Sequence, residues 1–172
     1  QVCRFNESTG VAYTKPYEVG LPLTSAGIGQ VLACGGEAQR QGFAAGDLVL
    51  QPFDSWPWAT ATSLPAASVS RIPPALGLLV APSALLGVAG QPGLTAFLGV
   101  DQVAKPQHGE TVIVSGAAGA VGSIAAQLFR RRGARVVGLC GSDAKSQWLV
   151  EAGIADRAIN YKQPTAQLAA EL

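Results

Sequence analysis

The chain of 172 residues contains no methionine, one histidine, three cysteines and only 13% charged residues. Each scarcity excludes something. Cys3, Cys34 and Cys140 form no Cys-x-x-Cys pair, and with His108 they are too few and too scattered for a four-ligand structural zinc site. The unpaired cysteines fit a reducing, cytoplasmic compartment, with Cys140 a core residue at the end of a strand. A net charge of +1, with no basic run interleaved with aromatics, argues against a nucleic-acid surface. Charge is absent altogether from Ile72 to Val100. A membrane span would need about 20 mainly apolar residues in unbroken hydrogen bonding, and Pro73, Pro74, Pro82 and Pro92 interrupt this segment. Two or three buried helical pieces are expected there instead, followed by a polar connection from Val103 to Glu110. The absent methionine, an opening residue that reads as strand and a final residue that reads as helix fit a piece of a longer chain.

What is present is organised around Thr111 to Lys145. Thr111-Val112-Ile113-Val114 is a short β-branched run of the kind that fills a strand buried on both faces. A turn of small residues, Ser115 to Gly122, follows. Then Val121, Ile124, Ala125, Leu128 and Phe129 recur at helical spacing, which predicts one buried helix face. Arg130, Arg131 and Arg132 complement the negative end of the helix dipole, and Gly133 stops the helix. A second apolar strand, Arg135 to Cys140, completes a βαβ unit. In the turn, Ala117-x-Gly119-x-x-Gly122 departs from Gly-x-Gly-x-x-Gly by one alanine, and Gly116-x-x-Gly119-x-x-Gly122 is also present. Between a strand and a helix, such glycines let a pyrophosphate approach the backbone and the free N–H groups of the helix. The bland alternative is tight helix–strand packing alone.

The end of the second strand bears on which dinucleotide would bind. An NAD site has an acidic residue about 20 residues beyond the glycines, but Cys140-Gly141-Ser142 offers none. Ser142 or Asp143 reads equally well as the N-cap of the next helix. Lys145 in the first turn of that helix opposes the dipole unless it meets a phosphate, which favours NADP(H); a solvated lysine is the alternative. The helix ends at Gly153, and Arg157 to Tyr161 reads as a third parallel strand with Pro164 opening a third helix. Tyr161 falls at the carboxyl end of its strand, either at a ligand or packed on the sheet rim.

Before Arg71 the texture is irregular β structure. Ile28 to Ala33 and Asp47 to Leu50 read as strands, the second entered through a Gly46-Asp47 turn. Phe53-Asp54-Ser55-Trp56-Pro57-Trp58 reads as a proline-broken aromatic loop, either a contact between domains or a wall of a substrate pocket.

Read together, Gly46-Asp47-Leu48-Val49, Arg71-Ile72-Pro73-Pro74, Pro92-Gly93-Leu94-Thr95-Ala96 and Val114 to Gly122 resemble the medium-chain dehydrogenase/reductase family, in its zinc-independent, prostaglandin reductase branch. Cys3-Arg4-x-Asn6-Glu7, Trp56-Pro57-Trp58 and Ala158-Ile159-Asn160-Tyr161-Lys162 carry the narrower likeness. The resemblance implies an α/β chain: an incomplete GroES-like β domain over 1–72, then the first half of a Rossmann doubly wound parallel sheet over 73–172. It implies NADPH-dependent reduction of the carbon–carbon double bond of α,β-unsaturated ketones such as 15-oxoprostaglandins. Gly119, Ala120, Val121 and Gly122 would hold the pyrophosphate, and Ser142, Lys145 and Tyr161 the adenosine 2′-phosphate end. Tyr13, Ser55 and Trp56 would lie at the substrate; no residue is assigned a catalytic role and no metal is implied. The implied partner is a small enone, with neither nucleic acid nor membrane and with a tendency to self-associate through an open sheet edge. A quinone oxidoreductase of the same superfamily and a truncated, non-catalytic nucleotide-binding or interaction module are the alternatives.

Overall fold

The structure, a computed structural model, describes residues 19–164 and, among these, every side chain except those of residues 52–55. The chain forms two compact units that divide between Pro82 and Ser83.

In the first unit the short apolar runs pair as an antiparallel sheet in the order β1 (Thr24–Gln30), β2 (Leu48–Pro57), β3 (Ser70–Arg71), with a short helix α1 (Gly36–Arg40) between β1 and β2. The Gly46-Asp47 turn closes the pair. Gly46 takes a φ of 94° that glycine tolerates. Its N–H donates to the Val31 carbonyl at 2.8 Å, and the Val31 N–H donates to the Asp47 carbonyl at 2.9 Å. The Asp47 carboxylate accepts the Ala44 N–H at 3.0 Å and lies 3.7 Å from Arg71 Nη1. The Gly-Asp and Arg-Ile-Pro-Pro motifs are therefore two sides of one join.

Two expectations are corrected in this unit. β1 begins at Thr24 and ends at Gln30, so Val31 to Ala33 lie beyond the strand. Phe53 to Pro57 is not a loop but the second half of β2, with Ser25 opposite Trp56 and Thr24 opposite Pro57. A register shift between Ser25 and Gly27 absorbs the extra residues, and Pro57 falls on the final position of the strand, where proline is tolerated.

The charge-free segment is helical in pieces, as expected: α2 (Pro74–Leu79), a 3₁₀ turn (Pro82–Leu85) and α3 (Gln91–Leu98), extended by a π-helical turn (Gly99–Ala104) into what reads as a polar connection. Its burial differs from the expectation. α2 buries none of its residues, and Leu78 and Leu79 are 89% and 79% exposed. Ile72, Leu85, Gly93, Ala96 and Val100 are the buried positions. A Cβ at Gly93 would fall 1.7 Å from the Val88 carbonyl oxygen, which accounts for the glycine in Pro92-Gly93-Leu94-Thr95-Ala96. No helix among the described residues is long and apolar enough to cross a membrane.

The second unit carries a parallel sheet in the order β4 (Thr111–Val114), β5 (Arg135–Cys140), β6 (Arg157–Asn160), with α4 (Ala120–Arg131) and α5 (Asp143–Glu151) as crossovers. Val114, Ala117, Ala126, Phe129, Val136, Cys140 and Leu149 belong to one core cluster. β4 is not buried on both faces. It is an edge strand among the described residues, and Ile113 is 55% exposed. On α4 the expected face packs on the core at Phe129, Ala125 and Leu128, and departs from expectation at Val121. Ala126 and Phe129 are buried, Ile124, Ala125 and Leu128 half-buried, and Val121 exposed. The row Gly122, Ala126, Phe129 faces inward because its small members allow the closest approach to the sheet.

Two of the three arginines at the end of α4, Arg130 and Arg132, are drawn into tertiary contacts as well as the dipole. Arg130 pairs with Asp156 at 3.2 Å, and Arg132 pairs with Asp101. Gly133 takes a φ of 82°, with the His108 ring packed where a side chain would go. Hydrogen bonds from Arg132, and next from Gln102, hold the Asp101 carboxyl below the ordinary carboxylate range. A lowered folded-state value means a contribution that is present above the unfolded value of about 4 and lost as pH falls through the folded value. Thermal melts between pH 5 and pH 3 should therefore fall less steeply for Asp101→Asn than for wild type. Parallel curves would show that the pair contributes nothing.

Candidate functional site

The glycine turn is built by backbone contact. Gly116 leaves β4 in the left-handed region, φ 58°, and its carbonyl accepts the Gly119 N–H at 2.8 Å. That same carbonyl oxygen would lie 2.3 Å from a Cβ at Gly122, with Ala117 Cα at 3.0 Å. Glycine is therefore required at 122 by backbone atoms that cannot move aside. Ala117 fills the first position of the motif without penalty. It is fully buried, its N–H donates to the Leu139 carbonyl at 3.0 Å, and its methyl faces Gly138 of β5. The alanine that weakened the motif on paper is a packing residue between two strands.

Gly119 is the N-cap of α4, extended at φ −88° and ψ 171°, with no capping side chain and no acidic residue in the first turn. The leading N–H groups of a helix have no intrahelical acceptor. Those of Ala120, Val121 and Gly122 point out of the start of α4 beside the turn, where an anion would be favoured by both the N–H groups and the dipole.

A second cluster lies at the ends of β5 and β6. Ser142 is the N-cap of α5, its Oγ accepting the Lys145 N–H at 3.4 Å, which decides between Ser142 and Asp143. Lys145 lies in the first turn of α5, exposed. The Tyr161 N–H donates to the Cys140 carbonyl at 3.0 Å, and the Tyr161 ring is half exposed. A Cβ at Gly141 would meet Tyr161 Oη at 2.9 Å and Lys162 Cε at 3.5 Å. The bare backbone of Gly141 thus lets Tyr161 lie over the end of β5, beside Ser142. Cys140 is buried, with its Sγ 3.1 Å from Ser146 Oγ, in keeping with a core role. Because Ala117 bonds to Leu139, the turn and this corner occupy the carboxyl ends of adjacent parallel strands, where doubly wound sheets hold ligands.

The residues expected at the substrate are not brought together in the same way. Tyr13 lies outside the described residues, and so does the side chain of Ser55. Trp56 lies in the first unit with its indole over Gly27 and Gly29, where a Cβ would come within 2.4 and 2.5 Å of it. It lines an open cavity of about 630 Å³ together with Val31, Cys34, Phe43 and Val49. Two contributors were missed in the sequence: Gly141, whose lack of a side chain accommodates Tyr161, and Asn160, which donates to Asp143. The Gly after a strand end and the Asn before Tyr161 were visible, but nothing in spacing ties them together. Among the described residues no three metal-ligating side chains cluster.

Inside a helix, glycine to alanine ordinarily stabilises by about 0.5–1 kcal/mol. Gly122→Ala should do the reverse, costing about 1–3 kcal/mol through overpacking on Gly116. Urea unfolding checks the sign. A stabilised variant would show that the close approach is not real.

No family model matches the chain. A Bacillus subtilis (strain 168) protein described as the NADP-dependent oxidoreductase YfmJ is 38% identical over 151 residues, 88% of this chain and 41% of its own length. Prostaglandin reductase 1 of Bos taurus is 39% identical over 139 residues, 78% of this chain and 40% of its own. The crystal structure of CurA with NADPH from Vibrio vulnificus superposes with a TM-score of 0.76 at 27% identity, covering 94% of this chain and 45% of that one. The chain thus spans about two fifths of the length of these curated relatives. Over the part that it spans, this chain's homologues in sequence and fold are NADP-dependent oxidoreductases of the medium-chain dehydrogenase/reductase family.

Proposed function

We infer that this chain contributes the cofactor-binding part of an NADPH-dependent reductase of enones. The observation that carries the reading is the meeting of an uncapped helix start and a lysine-bearing corner at the ends of adjacent parallel strands. In this reading Gly119, Ala120, Val121 and Gly122 hold the pyrophosphate through backbone N–H groups and the dipole of α4. Ser142, Lys145 and Tyr161 take the adenosine 2′-phosphate, with the lysine supplying charge and the two hydroxyls hydrogen bonds. The bound nicotinamide supplies a hydride, and the protein's part is to orient it and exclude competing reactions.

The substrate side falls to the first unit. Trp56 forms an apolar wall there, with Tyr13 and Ser55 as polar contacts for the enone. Kinship with a prostaglandin reductase supports an enone of the 15-oxoprostaglandin kind as the first substrate to try. The free thiols of Cys34 and Cys140 support a reducing, cytoplasmic setting.

Fluorescence titration of the chain with NADPH and with NADH tests the cofactor half. NADPH should bind more tightly, and Lys145→Ala should weaken NADPH by about tenfold while leaving NADH nearly unchanged, as expected for one charge-assisted phosphate contact. Equal weakening of both nucleotides, or none, would contradict the assignment. Turnover of a quinone but of no enone by a longer form of the protein would correct the substrate class.

A further inference from the structure

The strand ends contain one acidic group that the cofactor reading does not use. Asp143 is the first residue of α5, directly after the N-cap Ser142 and two positions before Lys145. Asp143 is exposed and carries the first carboxylate after β5, so it is the group best placed to act like the acid of an NAD site. Left free, it would offer an acceptor to a ribose hydroxyl and would repel a 2′-phosphate, which carries about −1.5 to −2 charges near neutral pH.

Asp143 is not free. Asn160, the last residue of β6, donates from Nδ2 to Asp143 Oδ1 at 2.8 Å. The other end of the same amide is fixed as well, because Asn160 Oδ1 accepts the Lys162 N–H at 3.1 Å. With one end bonded to an acceptor-only carboxylate and the other to a backbone donor, the amide has a single satisfactory orientation. Asn160 is held in turn by the register that places it opposite Cys140. The carboxylate is therefore engaged from the β6 side. The Lys162 stem passes beside Gly141 at the same corner.

Resting on the cofactor reading above, we propose that Asn160 is a positioning residue for cofactor choice: it ties up the Asp143 carboxylate and so favours a 2′-phosphate over a 2′-hydroxyl. It need not touch the cofactor. Its effect passes through the position of the Asp143 carboxylate, whose charge a neutral amide leaves in place, which makes the two residues a pair that a double-mutant cycle separates from a merely structural contact.

Dissociation constants for NADPH and NADH would be measured on the 172-residue chain as wild type, Asn160→Ala, Asp143→Asn and the double variant, with Lys145→Ala alongside. Asn160→Ala should lower the preference for NADPH by about fivefold, the size of one screened like-charge contact. Asp143→Asn should keep or raise the preference, and in its background Asn160→Ala should change the ratio by less than about twofold. Asn160→Asp, which retains an acceptor for the Lys162 N–H but sets a second carboxylate beside Asp143, should lower the preference at least as far. A loss equal for both nucleotides, or one that persists in the Asp143→Asn background, would overturn the proposal while leaving the cofactor site intact. A wild type indifferent to the 2′-phosphate, or a Lys145→Ala variant with undiminished preference, would overturn the cofactor reading and this inference with it.

Discussion

One close approach governs the second unit: the carbonyl of Gly116 against the α-carbon of Gly122. It brings the start of α4 directly over the end of β4, and no side chain can be interposed. With the helix seated so low, Gly122, Ala126 and Phe129 turn to the sheet, and the N–H groups at the helix start are left beside the turn. Ala117, locked between β4 and β5 by its buried methyl and its bond to Leu139, fixes the turn against the second strand. The uncapped start of the helix and the corner at Gly141 thus lie next to each other because of packing, before any ligand is considered.

The corner uses the same device at a gentler level. Gly141 makes room for Tyr161, whose flexible ring end could shift, whereas Gly122 faces backbone that cannot. Polar side chains complete it. Ser142 caps α5, Asp143 is bonded to Asn160, and Lys145 remains exposed in a helix turn where a cation is otherwise disfavoured.

Much of this was legible in the sequence, because strand, glycine turn, helix and strand are local signals. β5, α5 and β6 began and ended close to their expected positions, with Gly133 and Gly153 after the helices. The errors came where burial depends on neighbours far along the chain. Thr111 to Val114 has the composition of a strand buried on both faces, yet only Val112 and Val114 pack on the core and Ile113, on the opposite face, is exposed among the described residues. Periodicity on α4 weighed Val121 as core because it counts apolar residues, while the sheet accepts the row with the smallest side chains. Trp56 was read as loop because Pro57 follows it; the register shift in β1 that keeps it in the sheet has no signature in composition. Tyr13 lies outside the described residues, so its expected place is neither supported nor opposed.

The central claim is that the turn and the corner are two ends of one cofactor site. Amide chemical shifts followed by NMR during titration with NADP⁺ and with NAD⁺ test it most directly. Both nucleotides should move the amides of Gly119, Ala120, Val121 and Gly122, and NADP⁺ alone should move those of Ser142, Lys145 and Tyr161 strongly. Shifts at the turn without any at the corner, or the same corner shifts with both nucleotides, would contradict it.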